Sequence, residues 1–83
     1  MAKAIYSDEH RILVERLKKA RLQSGLDQSE VAKTLGRSQS YISKVEAGQR
    51  QVDIVELKQF ARVYKKDLSY LLTHLTHFVS NWV

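Results

Sequence analysis

Apolar residues recur three and four apart along nearly the whole chain, and few runs alternate apolar with polar. That period is helical rather than extended. Leu13, Leu17 and Ala20 give the inner face of a first helix, expected from a Ser7 N-cap to about Ser24, with Asp8 and Glu9 on its first turn where the helix dipole favours them. Met1 to Tyr6 precede it as a loose arm. Gly25 stops it, and Leu26 can tuck back into the core. Val31, Ala32 and Leu35 fall on one face of a second helix, opened by a D-x-x-E capping box of Asp27 and Glu30. Gly36 ends it, Ser38 caps a third helix with Ile42 and Val45 as its buried side, and Gly48 stops that one. Asp53 and Glu56 repeat the box at the start of a fourth helix. Its apolar stripe is Ile54, Leu57, Phe60, Ala61 and Tyr64, and Lys65 and Lys66 close it with positive charge at the carbonyl end. Asp67 caps a fifth.

The pattern predicts one all-α domain over residues 1–83, built from five helices. Within it, residues 27–48 form two short helices set close together by a glycine turn, which is a helix-turn-helix. The chain has no Pro and three Gly, and those glycines fall at 25, 36 and 48, between helices. Eighty-three residues leave room for a small core and little stability to spare.

The last stretch, residues 67–83, adds something a small core does not need. Leu68, Leu71, Leu72, Leu75, Phe78, Val79 and Trp82 fall within an arc of about 120° at helical pitch. One reading folds this helix back as the last layer of the core, against Val14. The other makes its outer half, Leu71, Leu75, Phe78, Val79 and Trp82, the seam of a symmetric dimer. A membrane-surface helix would carry Lys or Arg on its polar face, and from Leu68 to Val83 there is no formal charge.

Charge narrows the partner. The formal net charge is +5 and the pI about 9.7. Ten Lys and Arg against six Asp and Glu lie in the first fifty residues, so the cationic part coincides with the helix-turn-helix. Such a balance favours polyanions through long-range attraction and counterion release. The absence of Cys removes a disulfide framework and thiolate zinc sites and suits a reducing cytoplasm. No apolar signal core opens the chain and no stretch is long enough to span a membrane.

In a helix-turn-helix the second helix enters the DNA major groove, its N-terminal residues meeting base edges. Here Gln39 and Ser40 lie on that first turn and Ser43 and Lys44 one turn on, free of core duty. Gln pairs with adenine, Ser with several bases, and Lys reaches guanine or phosphate. Phosphate contacts, which position without reading, fall to Gln28 at a helix N-terminus, Arg37 in the turn, and Gln49, Arg50 and Gln51 in the following loop. Tyr41 suits two roles equally, the sugar-phosphate edge or a cover over the helix-turn-helix joint. Arg21 and Glu46 are expected to form an ion pair tying the third helix to the first. His74 and His77 are close enough on a helix to share an ion, but no Asp, Glu or Cys lies near to complete a metal site. No phosphate loop, nucleophile elbow or catalytic carboxylate pair is present, so neither an enzyme nor a cofactor is expected.

These marks resemble the Xre/Cro type of helix-turn-helix regulator, the family that includes phage repressors. They are Arg21 before Gly25-Leu26, then Gln28-Ser29-Glu30-Val31-Ala32, Leu35-Gly36, and Ser40 through Gly48. The series Leu57, Phe60-Ala61, Leu68 and Leu71-Leu72 closes them. The resemblance implies a five-helix, lambda-repressor-like domain binding double-stranded operator DNA as a homodimer in a bacterial cytoplasm. It implies an Arg21–Glu46 pair, base reading by Gln39, Ser40, Ser43 and Lys44, and Gln28 as leading phosphate anchor. Two departures stand out. Val52 occupies a place where the family often has Pro, and Tyr64-Lys65 replaces a usual Leu-Gly pair. A different function is also open: a protein-interaction module, such as a DNA-binding antitoxin or a scaffold, whose apolar tail holds another partner.

Overall fold

The computed structural model describes residues 8–72, and all regular structure among them is helical. The order is α1 (Asp8–Gln23), α2 (Gln28–Leu35), α3 (Gln39–Glu46) and α4 (Ile54–Tyr64). A further helical segment, α5, covers 68–72. Ser7, the arm before it, His74, His77, Leu75, Phe78, Val79 and Trp82 lie outside the described residues.

The helix starts follow local chemistry. Asp27 accepts from the Glu30 N–H at 2.8 Å while Glu30 Oε1 accepts from the Asp27 N–H at 2.8 Å. Asp53 and Glu56 make the same reciprocal pair at 2.8 and 2.9 Å. Ser38 Oγ caps α3 by accepting from the Tyr41 N–H at 3.1 Å. Each such cap satisfies amide groups that the helix cannot, and losing one costs about 1 kcal/mol.

The helix ends share one device. After α2, the Arg37 N–H donates to the Ala32 carbonyl and the Gly36 N–H to the Lys33 carbonyl, which is the Schellman closure. The same pair of bonds closes α1, α3 and α4. The closure needs a left-handed residue. Gly36 supplies it after α2 with φ 69°, whereas after α4 the position falls to Lys65, with φ 56°. Lys65 is the one non-glycine among the described residues with positive φ.

The core joins all five helices. Leu13, Val14, Leu17 and Ala20 from α1 meet Val31 and Ala32 from α2, Tyr41, Ile42 and Val45 from α3, and Leu57, Phe60, Ala61 and Tyr64 from α4. Val52 is buried in the α3–α4 loop. The packing departs from the sequence pattern at two places. Ile54 does not join the inner stripe of α4 but stands 51% exposed, and the buried residue on the first turn is Glu56. Leu71, assigned to a dimer seam, has 0% exposure within the single chain and belongs to the core. Its neighbours Leu68 and Leu72 pack partly against the same cluster. The Arg16 guanidinium fixes the segment's other side, donating to the Tyr70 carbonyl at 3.2 Å.

Candidate nucleic-acid interface

The alternation along α3 divides its residues cleanly. Ile42 and Val45 are fully buried, while Gln39, Ser40, Ser43 and Lys44 are exposed. The four polar side chains therefore share the solvent side of a helix whose other side is fixed by packing. Ser38 holds the N-terminal end and the Schellman closure at Gly48 holds the other.

Behind α3, Arg21 and Glu46 form a two-point pair. Arg21 Nε donates to Glu46 Oε2 at 2.6 Å and Nη2 to Oε1 at 3.0 Å. Their side chains are only 9% and 5% exposed. The hydrogen bond to Glu46 raises the Arg21 pKa further, against the opposing pull of burial. Arg21 Nη1 also donates to the Leu26 carbonyl at 3.0 Å, so one guanidinium ties α1, the α1–α2 turn and the end of α3. Gln28 joins the same cluster, its Nε2 donating to Glu46 Oε1 at 3.0 Å. In the free protein the Gln28 side chain is thus engaged inward, while it still sits at the α2 N-terminus.

In front, a second cluster gathers around Glu56. Glu56 Oε2 accepts from Tyr41 Oη at 3.0 Å, from Arg50 Nη1 at 2.9 Å and from Arg37 Nη2 at 3.4 Å. Its other oxygen serves the α4 cap. The guanidinium carbons of Arg37 and Arg50 lie over the Tyr41 ring, 4.5 and 4.6 Å from its centroid. The ring in turn stacks on Phe60 at 6.2 Å. Burial alone would push the Glu56 carboxyl up, but the Asp53 amide, the Tyr41 hydroxyl and Arg50 together hold it below its ordinary value. Burial and the bond to Glu56 push the Tyr41 phenol up to about 12.

This arrangement changes the placing of Tyr41. Its ring is buried and its hydroxyl is taken by Glu56, so it covers the helix-turn-helix joint rather than lying at the surface for a sugar-phosphate edge. Arg37 and Arg50 remain near the surface, with side chains 38% and 39% exposed. Gln49 and Gln51 are exposed beside them. Sequence reasoning gave Glu56 only a capping role. The signal that could have found it is its place four residues before Phe60, on the inward stripe of α4. Among the described residues no group of His, Cys, Asp and Glu could hold a metal ion, and no helix is long and apolar enough to cross a membrane.

Known proteins fit this geometry. Residues 17–71 match the helix-turn-helix family model. An XRE-family like protein from Pseudomonas syringae pv. tomato superposes with a TM-score of 0.76 at 36% identity, over 84% of this chain and 85% of that one. The restriction-modification controller protein C.AhdI from Aeromonas hydrophila gives a TM-score of 0.67 at 32% identity, over 78% of this chain and 99% of that one. No curated protein sequence matches. The chain belongs to the Xre-type helix-turn-helix family, a family of DNA-binding regulators and not of enzymes.

Proposed function

We propose that the protein binds a near-palindromic operator in double-stranded DNA as a homodimer and thereby controls transcription. Gln39, Ser40, Ser43 and Lys44 read base edges, and Gln28, Arg37, Gln49 and Arg50 hold phosphates. The observation that carries this reading is the solvent face of α3, where all four proposed readers are exposed while Ile42 and Val45 beneath them are fully buried. A helix so fixed can present side chains to a major groove without reorganising. The similarity to a restriction-modification controller protein supports a regulatory role. The proposed two-fold seam is formed by Leu75, Phe78, Val79 and Trp82, apolar positions at helical spacing in the sequence, Leu71 being part of the core.

The test is a gel shift with the double variant Gln39→Ala, Lys44→Ala against the DNA upstream of the protein's own coding sequence. Loss of preference for that DNA over a scrambled duplex, with non-specific binding retained, is the expected result. An unchanged preference would mean that other residues read the bases.

A further inference from the structure

Glu56 carries a negative charge that the hydrogen bonds of its capping box do not require. A glutamine at the same position also completes a capping box, because the box uses one side-chain oxygen, and forgoes only the modest attraction of a carboxylate to the helix N-terminus. The charge is instead spent on Arg37 and Arg50, at 3.4 and 2.9 Å. These two arginines stand just before and just after α3 in the chain, and more than a third of each side chain faces solvent. An arginine uses one planar set of donors for carboxylate and for phosphate alike.

We infer that Glu56 is an internal counterion of the phosphate grip: it occupies Arg37 and Arg50 in the free protein as a phosphate would, and so lowers the affinity for DNA of every sequence. The inference rests on the reading of the preceding subsection. With Glu56 ionised, the three side chains present one net positive charge to the duplex instead of two. The base-reading residues on α3 are not in this cluster, so the sequence-independent part of binding bears the effect. Tyr41 keeps the exchange local. Its ring holds both guanidiniums within 4.6 Å of its centroid, and its hydroxyl stays on Glu56.

The experiment measures binding of the full chain and of its Glu56→Gln variant across a range of salt concentrations. Two duplexes of equal length are used, one enriched by the wild type from a random pool and one scrambled. Glu56→Gln is expected to bind both several-fold more tightly at low salt, with the slope of log K against log salt steeper by about 0.9, one further phosphate. Tyr41→Phe disturbs the same cluster without changing its charge and should leave the slope as it is. Should the glutamine variant not fold, Glu56→Met removes the charge with similar bulk and gives the same readout. A slope unchanged or shallower in the charge-removing variant overturns the inference. If the wild type prefers the enriched duplex and the slope does not steepen, this inference alone falls. If the wild type binds neither duplex, the functional reading falls with it.

Discussion

Arg21 and Glu46, twenty-five residues apart, meet through two hydrogen bonds of 2.6 and 3.0 Å beneath the third helix. Both side chains are more than nine-tenths buried, which separates this pair from the exposed Arg11–Glu15 pair on α1. Removing one partner of a buried pair strands the other charge away from water. Arg21→Ala is therefore expected to lower stability by about 3–5 kcal/mol, read by urea or thermal unfolding. Arg11→Ala should change it by less than about 1 kcal/mol. Equal, small effects at the two sites would show that burial does not distinguish them.

The acid and alkaline limbs of stability should report the Glu56–Tyr41 cluster. The Glu56 carboxyl titrates below its ordinary value of 4.5 in the folded chain, so its contribution is present above that value and is lost as pH falls through the lower folded value. Tyr41 titrates at about 12 instead of 10, so its contribution is full below pH 10 and is lost between 10 and 12. Unfolding followed against pH should show Glu56→Gln flattening the acid limb and Tyr41→Phe flattening the alkaline one. Limbs that superpose on the wild type would place the linkage elsewhere.

Lys65 pays a conformational cost that glycine would not. It holds the left-handed position of the α4 closure at φ 56°, the place taken by glycine at the ends of α1, α2 and α3. Lys65→Gly is expected to raise stability by about 0.5–1 kcal/mol, less the greater freedom of glycine in the unfolded chain. A fall of that size in the unfolding free energy from urea titration would mean that the lysine side chain does more than the backbone geometry implies.

Tyr64 buries a hydroxyl that finds no hydrogen-bond partner among the described residues. Burial pushes its phenol well above the ordinary range. Tyr64→Phe keeps the ring that stacks on Phe60 at 5.9 Å and removes only the unsatisfied group. Stability should be unchanged or higher by up to about 1 kcal/mol, whereas a loss above that would reveal a bond to the hydroxyl.

What could be read from the sequence was what local chemistry decides. Asp27 with Glu30, Ser38, and Asp53 with Glu56 mark helix starts because each cap acts within three residues. Ile42 and Val45 declare the inner face of α3 by their spacing, and that leaves Gln39, Ser40, Ser43 and Lys44 outside. The rest depends on tertiary placement. Glu56 looks like a complete capping residue, and nothing local shows that its second oxygen meets Tyr41, Arg37 and Arg50 from fifteen, nineteen and six residues away. Leu71 lies on a helical stripe that serves a core or a seam equally well until the position of α1 and α4 is known. Ile54 continues an apolar repeat but belongs to the first turn of α4, at the edge of the packed layer, where Glu56 turns inward in its place.

In the proposed function α3 reads DNA from two copies of the chain. Selection of bound sequences from a random duplex pool tests it most directly. The expected result is an enriched near-palindrome whose two half-sites are centred about 34–36 Å apart, one helical turn. A pool that stays random in sequence after repeated rounds, despite retained binding, would contradict it.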